Sequence, residues 1–236
     1  MNGRRDGRDW KAVGVGACAA WAVMFAIQGI TPTSSQIASP GGAPPPGSAN
    51  PGPTIILRVY NYARVPALTL STAERETKRI FRKTGVETAW IECRVSTAEP
   101  RTPACERPFT SSDLFLRLLP PHMARALPSY ADTFGITFAG TDRPGTDAVI
   151  LYGRVAALAR TEYLYEQDIL AAVMAHEIGH LLVGGGHSPT GIMRAKWNRR
   201  ELLLAGRGQL VFTPEQSLLI RDEVAARRAH ADGRSQ

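Results

Sequence analysis

The chain has 236 residues and a formal net charge of +7, a length that suits one folded domain and a charge that is only mildly basic. The basic residues are not interleaved with aromatic side chains, which argues against nucleic-acid recognition. There are three cysteines and no CxxC pair, which argues against thiol redox chemistry.

The N-terminus has the pattern of an export signal. A basic segment precedes residues 12–30, which contain no charged side chain; its members are Arg4, Arg5, Arg8 and Lys11. The uncharged stretch is longer than a signal-peptide core, about 7–15 residues, and lies near the short end of the range for a membrane span, about 17–25 residues. We predict that residues 1–30 are a signal peptide or an N-terminal membrane anchor. The rest of the chain is then extracytoplasmic, either secreted or tethered through residues 12–30.

Residues 31–54 are rich in Pro, Gly and Ser, a composition that cannot bury a core and is typical of a semi-extended linker. The remaining residues, 55–236, have the length of a single domain. Its basic residues concentrate between Arg194 and Arg228 and include Arg227. They are expected to form a solvated face.

The first part of this domain is predicted to contain mostly strands. They are expected over residues 55–60, 86–93, 113–119, 135–139 and 148–155. Ser71 and Glu74 have the spacing of a capping box, which predicts a helix from there to about Lys83. Cys93 and Cys105 lie in a Pro-rich, charged stretch and are the only cysteines in the exported part. An even pair outside the cytoplasm predicts a disulfide, which by the chain-entropy model would add about 3 kcal/mol of stability.

A helix is predicted over residues 164–182, where apolar side chains surround the motif His176-Glu177-Ile178-Gly179-His180. Three glycines, from Gly184 to Gly186, are expected to end it. A further helix is predicted from Pro214 to about Arg228.

The motif has the order of groups that a hydrolytic zinc site needs. Histidines four residues apart lie on one face of a helix, so both imidazoles can reach one ion at about 2.0–2.1 Å. Three of the five histidines fall between positions 176 and 187, a clustering that core packing does not explain. Glu177 lies beside the first ligand and can accept a proton from the water that zinc activates. The sequence therefore predicts His176 and His180 as Zn²⁺ ligands and Glu177 as the catalytic base.

Two residues compete for the third ligand position. His187 follows the glycines that allow the chain to turn back, and three protein ligands leave one tetrahedral position for water. Glu201 would complete the site from a second helix, as in gluzincin-type hydrolases. The Gly run favours His187, and Glu201 remains the alternative.

The segment from His176 through His187-Ser188 to Gly191-Ile192-Met193 resembles the metzincin metalloproteases, in particular the matrixin-like branch and small bacterial predicted zinc proteases with an HSPxGIM segment. The resemblance implies an α+β domain with a mixed twisted sheet, an active-site helix and a C-terminal helix. It also implies that Met193 lies in a turn beneath the metal, and that the strand 148–155 is a sheet edge that binds an extended peptide. The family pattern has glycine where this chain has Val183, and its third histidine comes one residue earlier.

These features predict an exported zinc endopeptidase whose partner is a protein or peptide substrate and not a nucleic acid. The sequence does not predict the oligomeric state. The displaced His187 leaves open a zinc-bearing binding protein without turnover. A hydrolase that uses Glu201 is a further alternative.

Overall fold

The computed structural model describes residues 52–96, 98–100, 102–125, 127, 133–138 and 145–233, with side chains to residue 231. All of them belong to the second of two units, residues 47–236. The predicted signal or anchor over residues 1–30 and nearly all of the predicted linker 31–54 lie outside the described residues. Among the helices that are described, none has an apolar stretch of membrane-spanning length.

In the described part of the chain, five strands form one mixed sheet in the order β2-β1-β3-β5-β4. Their bounds are Thr54–Asn61 for β1, Glu87–Cys93 for β2, Asp113–Leu119 for β3, Gly135–Phe138 for β4 and Asp147–Leu151 for β5. Neighbouring strands are parallel except for β4, which runs antiparallel to β5. The edge beside the predicted metal helix is therefore β4, and the prediction that the strand at 148–155 is the edge was wrong.

Seven helices accompany the sheet in the described part of the chain. They are α1 (Ala67–Arg82), α2 (Pro103–Glu106), α3 (Pro121–Ala124), α4 (Tyr152–Thr161), α5 (Glu166–Val183), α6 (Arg199–Gly206) and α7 (Pro214–Gly233). The sequence predicted α1, α5 and α7 but not the others. The predicted strand 148–155 ends at Leu151, because its last residues already belong to α4.

The helix α1 begins before the predicted capping box. Its N-cap is Pro66, and the Ser71 hydroxyl donates to the Leu68 carbonyl within the helix, so Ser71 and Glu74 do not form a cap. Burial, with a smaller contribution from Glu92, raises the pKa of Glu74 to about 7. The apolar face of α1 packs against α5, and tertiary packing determines where the helix starts.

The central element of the core is α5, which contacts α1, α4, α6, α7, β4 and β5. Its residues from Ile169 to Ala175 are all buried, so this helix has no solvated face along that stretch. A helix that is apolar all round must be covered on every side. The predicted α+β architecture, with a mixed sheet, a helix that carries the His-Glu motif and a C-terminal helix, is confirmed.

The predicted disulfide between Cys93 and Cys105 is present, with a Cα–Cα distance of 5.7 Å. A buried ion pair lies beneath the loop that it closes. The Arg58 guanidinium donates to Asp113 at 2.8 Å and to the carbonyls of Cys105 and Arg107. The cross-link ties Cys105 to the end of β2, and Arg58 ties the same segment to β1 and, through Asp113, to β3.

The sequence predicted Arg227 to be part of a solvated face, and this prediction was wrong. Only 6% of the residue is exposed. Its guanidinium donates to the carbonyl of Leu181 at 2.9 Å, to that of Gly145 at 3.1 Å and to Glu223 at 2.7 Å. A helix has free carbonyls in its last turn, and Arg227 satisfies one at the end of α5. It thereby links α7 to the turn that contains His180.

Replacing Arg227 with methionine is expected to lower the free energy of unfolding by about 3 kcal/mol, because buried carbonyls and the Glu223 carboxylate lose their donor. For a domain of this size the melting temperature should fall by roughly 6–12 °C. The matched control is Arg228→Met, which changes an exposed neighbour and should shift the melting temperature by less than about 2 °C. Equal shifts in both variants would contradict the assigned role.

Candidate metal centre

The helix α5 brings His176 and His180 together, one turn apart. Their ring centroids are 4.6 Å apart and their Nε2 atoms are 3.0 Å apart. Two nitrogens bound to one tetrahedral zinc ion at about 2.05 Å would lie about 3.3 Å apart, so the observed spacing suits a shared ion.

The hydrogen bonds of the two rings determine which nitrogens carry protons. His176 Nδ1 lies 2.7 Å from the Ile192 carbonyl, and His180 Nδ1 lies 3.1 Å from the Gly184 carbonyl. A carbonyl only accepts, so both Nδ1 atoms must be the donors. In the neutral rings with this assignment both Nε2 atoms carry a lone pair, and both lone pairs are available to one cation.

Burial favours the neutral form of both rings. Burial lowers the pKa of His176 to about 4, and the neighbouring His180 and His187 lower it further, against the opposing effect of the bond to Ile192. Burial also lowers the pKa of His180. Neutral imidazole is the form that binds metal.

The chain returns to the site at His187 through the glycine run. Gly184 ends α5 with a φ of +91°, a conformation that favours glycine, so it provides the turn that Val183 cannot. The His187 ring centroid lies 4.8 Å from that of His180. One ligand atom from each of the three histidines lies within 4.8 Å of the others. The structure therefore brings His176, His180 and His187 into one cluster, with His187 exposed.

Glu201, the alternative third ligand, is occupied elsewhere. Its carboxylate accepts from the Asn198 backbone N–H at 3.0 Å, closing a capping box on α6, and pairs with Arg194 at 2.7 Å. Burial alone would raise the pKa of this carboxyl, but the Asn198 N–H and the Arg194 guanidinium outweigh burial and lower it. Within the described residues, the histidine cluster does not include Glu201.

Met193 lies under the helix turn that joins the two histidines. It is buried, and a Cβ added to Gly179 would approach its Sδ to 2.5 Å and Phe212 to 2.8 Å. The glycine of the His-Glu-Ile-Gly-His motif therefore gives Met193 the room to pack directly against α5. Met193 thus packs on the helix turn between His176 and His180, and its role beneath a metal ion stays a prediction.

The turn that contains Met193 is held from both sides. Ser188 N–H donates to the Met193 carbonyl at 2.9 Å, and Ile192 N–H donates to the Val211 carbonyl at 2.9 Å. The Ile192 carbonyl also accepts from Trp197 Nε1 at 3.2 Å, and the Trp197 ring lies edge-on to His176. The acceptor that orients His176 is thus fixed by a neighbour that sequence reasoning had not identified.

Glu177 is almost fully buried, with 5% of the residue exposed, and it lines the pocket beside the histidines. Burial raises its pKa to about 8. A dication nearby would act in the opposite direction and favour the carboxylate. The Glu177 side chain contacts Gly135 of β4. Gly135 is a second residue that the sequence did not identify as part of the site.

The three histidines and Glu177 open into a pocket of about 730 Å³. Its other walls come from β4 and the two residues before it, from α4 and α5, from the glycine run and from the segment after Met193. They are formed by Thr133, Phe134, Gly135, Ile136, Thr137, Arg154, Ala157, Val173, Gly185, Arg194, Ala195, Lys196 and Trp197. Such a pocket has room for a ligand larger than water beside the cluster.

Comparison with known proteins gives limited similarity. No protein-family model matches the chain, and the search of curated proteins gives no match. The solved structures with partial similarity include an archaemetzincin from Methanopyrus kandleri, with a TM-score of 0.47 and 18% identity over 75% of this chain and 99% of that one. A metalloproteinase-II from Bacteroides fragilis gives a TM-score of 0.41 and 10% identity over 76% of this chain and 55% of that one. Similarity at these TM-scores is too low to assign a function, so the chemistry of the site is inferred from the residues of this chain alone.

Proposed function

We propose that this chain is an exported zinc-dependent endopeptidase of the metzincin type. The observation that carries the proposal is the pair of Nε2 atoms of His176 and His180, 3.0 Å apart, while both Nδ1 atoms face backbone carbonyls. His187 adds a third nitrogen, and the buried carboxylate of Glu177 lies in the same open pocket. Three protein nitrogens and one open position are the donor set of a catalytic zinc ion, whereas a structural site has four protein ligands.

The proposed chemistry assigns separate tasks to these residues. His176, His180 and His187 would hold the ion, which supplies an activated water and polarises the scissile carbonyl. Glu177 removes a proton from the attacking water and delivers it to the departing amine. Its burial supports this role, because a carboxyl shielded from solvent holds its proton more readily than an exposed one.

The edge strand β4 is the proposed binding surface for the substrate main chain. It pairs with β5 on one side, and its residues 135–137 line the pocket. An extended peptide that adds to a sheet edge gains affinity from main-chain hydrogen bonds, whatever its side chains. This arrangement replaces the prediction that placed the peptide on the strand at 148–155.

We assign the domain to the metzincins, within the matrixin-like branch, from the order His176-Glu177-x-x-His180, His187 and Met193. The packing of Met193 against Gly179 supports the family assignment. Some metzincin branches carry a tyrosine after the methionine of the turn, and the segment after Met193 offers none, so oxyanion stabilisation would come from the metal and from backbone donors.

An extracytoplasmic location is part of the same proposal. The basic segment before residues 12–30 supports export, and the disulfide between Cys93 and Cys105 suits an oxidising compartment. The N-terminal segment would either be removed or tether the domain to the membrane through the linker.

Metal removal tests the proposal. The full chain, purified in detergent, is expected to contain one zinc ion per molecule and to cleave an unstructured protein such as casein. A chelator should abolish cleavage and zinc should restore it, and zinc at 100 times its Kd should stabilise the fold by about 2.7 kcal/mol. Cleavage that persists in zinc-free protein would contradict the proposal.

The same measurement distinguishes the endopeptidase from a second candidate function, a zinc-bearing protein that binds peptides without turnover. The observation that favours it is the position of His187, exposed and at the end of a glycine loop whose Gly185 and Gly186 have open space around them. Stoichiometric zinc without cleavage in a broad substrate screen would support this second function.

A further inference from the structure

The carboxylate of Glu177 lies directly against the backbone of the edge strand β4. A Cβ added to Gly135 would come within 2.5 Å of Glu177 Cγ and 2.6 Å of its Oε1. Real Cβ atoms do not approach other heavy atoms so closely, so any side chain at position 135 must displace Glu177 or the strand.

The strand is the less movable of the two partners. Gly135 is buried and pairs with Ile150 of β5, and the neighbouring Leu151 N–H donates to the Phe134 carbonyl at 2.8 Å. The Arg154 guanidinium donates to the Thr133 carbonyl at 2.6 Å. Glu177, in contrast, has side-chain torsions that can rotate within the pocket.

The backbone conformation of Gly135 does not explain the glycine. Positive φ values in the described residues occur at Gly85, Gly184, Gly191 and Gly208 among the glycines, and not at Gly135. Alanine would therefore be tolerated by the backbone at this position. The alanine methyl group would have no space, because Glu177 atoms already occupy the position where it would lie.

We propose that Gly135 is a positioning residue for the catalytic base. The bare backbone at this position forms the wall against which the Glu177 carboxylate rests, and the absence of a side chain sets where that carboxylate lies. The inference rests on the proposed function, in which Glu177 moves the protons.

The test is Gly135→Ala in the full chain, studied alone and together with changes at Glu177. Misplacing a reacting group by about 1 Å can cost 10²-fold in rate, so kcat should fall about 100-fold while KM and the zinc Kd change by less than about 3-fold. In a Glu177→Gln background, the same substitution should cost nothing further, because both changes disable one group. If the missing side chain at Gly135 instead served to leave room for the peptide on β4, KM would rise and the loss would persist in that background.

A stability measurement tests the inference without relying on activity. Gly135→Ala should lower the melting temperature by about 4 °C when Glu177 is present, and should not lower it when Glu177 is replaced by alanine, which removes the clash. The matched control is Gly206→Ala, whose added Cβ would lie 3.5 Å from Leu164, an ordinary contact. This control should leave kcat and zinc binding unchanged.

The outcomes separate the inference from the proposed function. If the wild-type chain cleaves no peptide, the proposed function fails, and the melting-temperature comparison still decides whether the bare backbone at Gly135 sets the position of the Glu177 side chain. If the wild-type chain cleaves peptides and Gly135→Ala retains full kcat, the inference is overturned. It is equally overturned if Gly135→Ala lowers the melting temperature by the same amount with and without Glu177.

Discussion

Replacing Glu177 with glutamine is expected to reduce kcat/KM about 10²–10⁴-fold while leaving zinc binding intact. The amide has nearly the same shape as the carboxylate and fits the same space against Gly135, but it cannot accept a proton from the attacking water. The substitution leaves His176, His180 and His187 unchanged, and these three residues form the cluster that would hold the ion.

The same variant should not destabilise the metal-free protein. Burial raises the pKa of Glu177 from 4.5 to about 8, so the folded chain binds more protons than the unfolded chain between these values. Stability contributed by this group is then present below about pH 4.5 and is lost as the pH rises toward 8. Glutamine has no such titration, so the melting temperature of the metal-free variant at pH 8 should equal or exceed that of the wild type.

Zinc content, peptide cleavage and thermal melting of the Glu177→Gln variant provide these measurements. The matched control is Glu87→Gln, which alters a carboxylate paired with Arg82 at the surface and should retain full activity. Loss of zinc from Glu177→Gln would show that Glu177 is a ligand. Cleavage within about 10-fold of the wild type would remove Glu177 from the mechanism.

The second large effect is expected from His187→Ala, which should weaken zinc binding more than 100-fold. Loss of a hydrogen-bond partner of a ligand typically costs about 10–100-fold in metal affinity, and loss of the ligand itself should exceed that range. Although exposed, His187 is the third member of the only histidine cluster among the described residues.

Glu201→Ala is the comparison that decides between the two candidate ligands. Glu201 caps α6 and pairs with Arg194, so its loss should cost about 1 kcal/mol of stability and leave the zinc Kd unchanged. His122→Ala, which removes an exposed histidine from α3, controls for the loss of an imidazole. Competition with a chromogenic chelator would measure all three affinities. Zinc loss in Glu201→Ala, with zinc retained in His187→Ala, would reverse the assignment.

Several features of this fold were accessible from short stretches of sequence. The strand Asp113–Leu119 was predicted to the residue, and α5 was predicted to within two residues at its start and one at its end. Glycine at position 184 was predicted to end α5, and it does so with a positive φ. Each of these signals lies within a few residues of the element that it determines.

The errors arose where distant contacts override a local pattern. The apolar run from position 148 to 155 suits either a strand or a buried helix, and the structure divides it at Leu151. Ser71 and Glu74 have capping-box spacing but lie inside α1, whose start is set at Pro66. Arg227 was predicted to be exposed because it is basic. It is buried, and it donates to Gly145 and Leu181, which are distant in the chain, and to Glu223, one helix turn away.

The sequence by itself determined the pairing of His176 and His180, because helical geometry places residues four apart on one face. It favoured His187 as the third member of the cluster, since a glycine turn can return the chain within seven residues, but it left Glu201 as an alternative. Only the tertiary structure decided what surrounds that cluster. Gly135 lies 42 positions before Glu177, and the Ile192 carbonyl lies 16 positions after His176. No local periodicity encodes such contacts, since they exist only once the sheet edge and the turn at Met193 have packed against α5.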